Sequence, residues 1–124
     1  MDDPDPMDLA AFLARLDALA ARLPEAERYL MHDHPSYRAG KKCFAIVGDR
    51  EGTVTSLSIK VPLMDQPLYC QVPRFSITHY IGHHGWITLD LTGSLHWPEV
   101  ERLVVDSYKR AALKRMLAKL APTP

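Results

Sequence analysis

With 124 residues and a mass of 14.0 kDa, the chain can enclose one hydrophobic core and little more, so a single domain over residues 1–124 is expected. A hydrophobic share of 47% against 24% charged residues excludes a disordered chain, and 15 basic against 15 acidic side chains argue against polyanion binding driven by net charge alone. The balance is uneven along the chain: residues 1–35 carry −5, residues 36–98 carry +2 and residues 99–124 carry +3.

The start, MDDPDPMD, is acidic where a secretory signal would be basic and then apolar, and no run approaches the ~20 apolar residues of a membrane helix, so a cytoplasmic protein is expected. Asp5 can cap a first helix, Pro6 suits its first position, and Asp8 favours its positive end. Leu9, Phe12, Leu13, Leu16, Leu19, Ala20 and Leu23 then recur at helical spacing until Pro24 stops the run. The segment EAERYLMHD alternates too poorly to separate a strand from a helical turn.

From Ser36 to Leu91 the period changes from about 3.6 to about 2, which predicts strands. KCFAIVG and TVTSLSIKV flank the turn-rich DREG and form a hairpin, and PLMDQPLYCQ, interrupted by Pro62 and Pro67, is a connection with a short helix. RFSITHYI and WITLDL form a second hairpin with GHHG at its tip. A final helix begins at Pro98 and Glu99, with Val100, Leu103, Val104, Ser107, Tyr108 and Ala111 on one face. Its apolar phase then shifts to Leu113, Met116, Leu117 and Leu120, while Lys109, Arg110, Lys114, Arg115 and Lys119 place cations at the negative helix end. The fold class predicted is α/β (α+β) with two layers: an antiparallel β-sheet covered on one face by N- and C-terminal helices, with residues 1–6 and 121–124 as frayed tails.

Four stretches in this order, HPSYRAGKKCFA (34–45), LSIKV (57–61), YIGHHGW (80–86) and DSYKRA (106–111), resemble the MmcQ/YjbR family. The resemblance implies a CyaY-like or secretion-chaperone-like fold and a DNA-binding protein whose hairpins project as a double wing. Fold likeness alone does not transfer function, so the candidate residues are weighed one by one.

His79, His83 and His84 lie close in sequence, as do His32 and His34, which would point the same way on a strand. Adjacent histidines diverge in extended chain, however, and no carboxylate or cysteine completes a metal set at recognised spacing. Asp106, Ser107 and a histidine make a triad on paper only, because no G-x-S-x-G turn presents a nucleophile. Ser107 and Tyr108 instead read as packing the helix on the sheet, their hydroxyls satisfying backbone groups, and Trp86 reads as a core anchor. Cys43 and Cys70, far apart and in apolar surroundings, read as reduced and buried. No phosphate loop or dinucleotide fingerprint implies a cofactor, and the sequence assigns no catalytic or metal residue.

The nucleic-acid reading rests on Arg38, Lys41, Lys42, Lys60 and Arg74 around the hairpins, with His83 and His84 on a small flexible tip that offers backbone amides to phosphate. The lysines also suit solvated charges that guard a sheet edge. DNA is therefore the expected partner of a monomer or weak dimer. The alternative is a non-enzymatic module that takes a protein or small ligand on the open sheet face.

Overall fold

The computed structural model describes residues 2–3, 7–93 and 95–120. Helix α1 (Leu9–Ala20) is capped by Asp8, whose carboxylate accepts from the Ala11 amide at 3.2 Å. The expected cap at Asp5 and the helical proline at Pro6 lie outside the described residues, and α1 ends before Pro24, with Arg22 and Leu23 in tight turns. The ambiguous segment after it is a strand, β2 (Ala26–Met31), because it pairs along its whole length with β3 (His34–Ala39). The sheet continues with β4 (Lys42–Arg50) and β5 (Thr53–Lys60). The expected turn between them is Glu51–Gly52, both with positive φ, which matches the twist of a two-residue hairpin. A 3-10 turn (Leu63–Asp65) and the short α2 (Gln66–Tyr69) lead to β6 (Phe75–Ile77), and β7 (Trp86–Asp90) inserts between β5 and β6.

The six strands run antiparallel in the order β2-β3-β4-β5-β7-β6. Residues facing each other across the ladder share a side of the sheet, so the pairs Tyr37–Ala45, Ala45–Ile59 and Ile59–Ile87 put one apolar row on the helical side. Val47, Leu57, Leu89 and Phe75 form a second row there. The alternate row, Ser36, Ile46, Ser58, Thr88 and Ser76, faces the uncovered side. A two-layer α+β fold results.

The last strand, β8 (Leu95–His96), pairs with β1 (Asp2–Asp3) in a separate small sheet, so residues 2 and 3 are paired where a frayed tail is expected. Next comes α3 (Trp97–Ala111), which buries the expected face and rests on β4 and β5. The continuous cationic helix anticipated beyond it is broken: Ala112 and Leu113 are extended, and the chain resumes as α4 (Lys114–Leu117). The break lets Met116 turn inward, its methyl carbon only 2.9 Å from where a Cβ on Gly40 would sit. Packing overrides the helical propensity of Ala-Ala-Leu-Lys.

Between Tyr37 and Arg38 the β3–β4 register slips by one residue, leaving Phe44 as the extra residue of a bulge. Phe44 and Ala45 are consecutive and both fully buried, and the Phe44 ring meets Tyr108 of α3 edge-on at 5.4 Å. Ser107 fills the gap this leaves. Its hydroxyl donates to the Phe44 carbonyl at 2.6 Å and accepts the Lys60 amide at 2.9 Å. Removing it strands two buried backbone groups, so Ser107→Ala is expected to lower stability by about 1–3 kcal/mol, read as a lower urea midpoint with an unchanged m-value.

Candidate nucleic-acid interface

The predicted site residues do not all meet. Arg74 donates to both carboxylate oxygens of Glu99 at 2.9 and 3.0 Å, beside the end of β7 that carries Asp90. Arg38 is held by Glu27, with its guanidinium stacked 4.6 Å above the Tyr29 ring on the uncovered face. Both arginines therefore have their charge met by a carboxylate. Sequence could not show this, since Glu99 lies 25 residues from Arg74 and Glu27 lies 11 from Arg38.

Lys41, Lys42 and Lys60 do converge with the histidine turn. The two-residue loop Gly40–Lys41 joins β3 to β4, and Lys60 closes β5, both at the sheet end where β7 begins at Trp86. The amide of Val61 donates to the Gly85 carbonyl at 2.8 Å, so the histidine turn is anchored one residue from Lys60.

Cations that local sequence reading had assigned only to a helix dipole join them there. Ser107 ties the C-terminal end of α3 to Lys60, and the Tyr108 hydroxyl donates to the Pro24 carbonyl at 2.6 Å. The Gly40 amide reaches the Glu25 carbonyl, and the Glu25 carboxylate pairs with Arg115. Lys109, Arg110, Lys114 and Lys119 consequently share the end of the molecule that holds Lys41 and Lys42. All but the half-buried Lys60 are exposed, and among the described residues none of these lysines, nor Arg110, has an ion-pair partner.

The GHHG segment differs from a flexible tip. Gly82–His84 is a 3-10 turn, Gly82 and Gly85 are buried, and the amides of His84 and Gly85 donate to Ile81 and Gly82 carbonyls at 3.0 Å. Those amides are not offered to phosphate. The Gln66 side chain, itself buried, locks the turn by donating to the carbonyls of Gly82 at 2.6 Å and Trp86 at 2.9 Å. What the turn presents is rings: His83 and His84 are exposed with centroids 3.9 Å apart. Trp86 is buried but stands apart from the main apolar cluster, on the side of β7 opposite Ile87.

The residues of the metal and nucleophile readings are placed as follows. His32 sits in a turn with φ +50 while His34 begins β3, so they do not share one strand face, and no three His, Cys, Asp or Glu groups converge among the described residues. Burial pushes the Cys43 thiol up, which keeps it protonated and unreactive. Ser107 is committed to its two backbone bonds. No described helix is long and apolar enough to cross a membrane.

The YjbR family model matches residues 21–110, from the end of α1 to the penultimate residue of α3. The chain belongs to the YjbR family. No curated protein gives a significant match. Among solved structures, a Deinococcus radiodurans protein with a DUF419 domain is similar at a TM-score of 0.70 and 18% identity, over 95% of this chain and 91% of that one. A Pseudomonas syringae protein matches at a TM-score of 0.61 and 17% identity, over 79% of this chain and 97% of that one. These likenesses show that this YjbR chain shares their fold.

The anchoring of the turn is testable at Gly85. Gly85 has φ +94 and a Cβ there would lie 2.5 Å from the Val61 carbonyl oxygen, whereas Gly52, at φ +83, has open space around it. Gly85→Ala is therefore expected to cost more than Gly52→Ala, and more than about 1 kcal/mol, in thermal unfolding followed by far-UV circular dichroism.

Proposed function

We propose that this YjbR protein binds DNA weakly, through its phosphates, at the sheet end formed by the β3–β4 turn, the end of β5 and the C-terminal part of α3 with α4. The observation that carries this reading is the gathering of Lys41, Lys42, Lys60, Lys109, Arg110 and Lys114 there without carboxylate partners among the described residues. Each lysine that meets a phosphate releases a condensed counterion, which favours binding in a salt-dependent way.

A net charge of zero does not oppose this. Asp33, Asp49, Glu51 and Asp90 lie at the other end of the strands. The nine residues of β4 separate the two ends by ~26 Å at the rise of a strand, about three Debye lengths at physiological ionic strength. A phosphate at the basic end is thus largely screened from the acidic one.

The rival reading, a protein partner on the uncovered sheet face, draws less support. That face carries a run of hydroxyls beside Ile46 and Tyr29: Ser58 and Thr78 each lie 2.9 Å from the Thr88 hydroxyl.

Fluorescence anisotropy of labelled duplex DNA across a salt series tests the proposal. Saturable binding that weakens with salt is expected. Replacing Lys41 and Lys42 together with Ala should weaken binding and flatten the slope of log K against log salt by about 2, while Arg74→Ala should leave it unchanged. An isotherm indifferent to the double lysine variant would overturn the assignment.

A further inference from the structure

Tyr80 is the most exposed large hydrophobic side chain among the described residues, at 96% of its full accessibility, and its backbone is in the left-handed region at φ +66. The Ile81 amide donates to the His79 carbonyl at 2.7 Å, closing a three-residue turn around Tyr80. A γ-turn with positive φ is rare and strained, and a tyrosine is among the residues that gain least from it. Such strain persists only where surrounding contacts impose it, and here the clamp of Gln66 on Gly82 and Trp86 and the Val61–Gly85 bond do so.

The result is a phenol ring held away from the core. The His79 ring lies beside it at 6.4 Å, and the His83–His84 pair follows in the same loop. Burial in the fold does not explain Tyr80, because almost none of it is buried. A flat ring on a rigid support, at the sheet end that also carries the cations, is an arrangement that can hold an unpaired base: the ring takes the face of the base and the cations take its backbone. Duplex DNA hides those faces in its own stack.

Resting on the phosphate-binding reading above, we infer that the favoured ligand is single-stranded nucleic acid, with Tyr80 as the base-stacking residue at the sheet end that carries Lys60 and the Lys41–Lys42 turn. The loop adds an aromatic surface to the electrostatic one, and Tyr80 sets the preference between unpaired and paired strands.

The test compares a labelled oligothymidylate of about 12 nucleotides with a duplex of equal length, titrated with wild type, Tyr80→Gly and Tyr80→Phe. Glycine adopts positive φ without strain, so Tyr80→Gly keeps the turn and removes only the ring. Wild type should bind the single strand more tightly than the duplex. Tyr80→Gly should lose at least about fivefold in single-strand affinity while its duplex affinity stays within about twofold, and Tyr80→Phe should retain most of the single-strand affinity. Unchanged single-strand binding by Tyr80→Gly, or a wild-type preference for duplex, overturns the inference. If Lys41→Ala with Lys42→Ala still weakens binding in that case, the phosphate reading stands alone. Absence of binding to either nucleic acid at low salt removes both.

Discussion

The hydroxyl of Ser107 joins three elements, α3, β4 and β5, at one point. The Phe44 bulge moves β4 out of step with β3, and the β4–β5 ladder ends at the Ala45–Ile59 pair while β5 continues against β7 to Lys60. The Phe44 carbonyl and the Lys60 amide are therefore left without each other. Buried backbone groups must find partners, and one side chain that both donates and accepts serves both. Ser107 does this from a helix, so satisfying the sheet also fixes the depth and rotation of α3. The neighbouring Tyr108 then reaches Pro24, binding the end of α3 to the β2 side of the molecule. Lys109 and Arg110 follow directly on this contact, while Met116 beside Gly40 and the Arg115–Glu25 pair hold α4 and its cations.

That constraint explains why net charge is a poor guide to this protein. Chain order places acidic residues early and basic ones late, but the fold does not simply inherit that order. Strands run back and forth, so Lys41, Lys42 and Lys60 come to one end from the middle of the sequence, and α3, running toward the same end, adds Lys109 and Arg110. The carboxylates of the opposite turns, Asp33, Asp49 and Glu51, are sorted away by the same alternation. Neutrality over the whole chain is compatible with a local field, because screening makes charges act over about one Debye length rather than over the molecule.

The elements legible in the sequence are those whose signal is local. The α1 stripe, the buried face of α3 and the glycine of the β4–β5 hairpin each follow from side chains a few residues apart. The β2–β3 turn escaped because His32 and Asp33 both adopt positive φ with no glycine to announce it. The break before α4 escaped because no helix breaker marks it, and only the docking of Met116 beside Gly40 requires it. For the candidate site, residue type located the lysines but not their surroundings. Lys41 and Arg38 look equivalent in sequence, yet β2 lies next to β3 and brings Glu27 opposite Arg38, while the turn leaves Lys41 in solvent. Partner proximity decides which charge remains available, and it is set by tertiary pairing.

The histidine turn brings these lines together. Positive φ also occurs at His32, Asp33 and Glu51 in the connecting turns of this chain. The loop from Thr78 to Gly85 is in addition fixed from beneath, with the Gln66 amide donating to the carbonyls of Gly82 and Trp86 and with glycines at the two positions where it is buried. Left-handed backbone at a tyrosine carries a cost on the order of 1–3 kcal/mol, which is a sizeable part of the stability of a domain this small. That cost is met by contacts on the inner side of the loop, and on the outer side Tyr80 and the imidazoles of His79, His83 and His84 face solvent. A rigid inner half and an unburied aromatic outer half, at the sheet end that also carries the cations, are the features on which the proposed contact with nucleic acid rests.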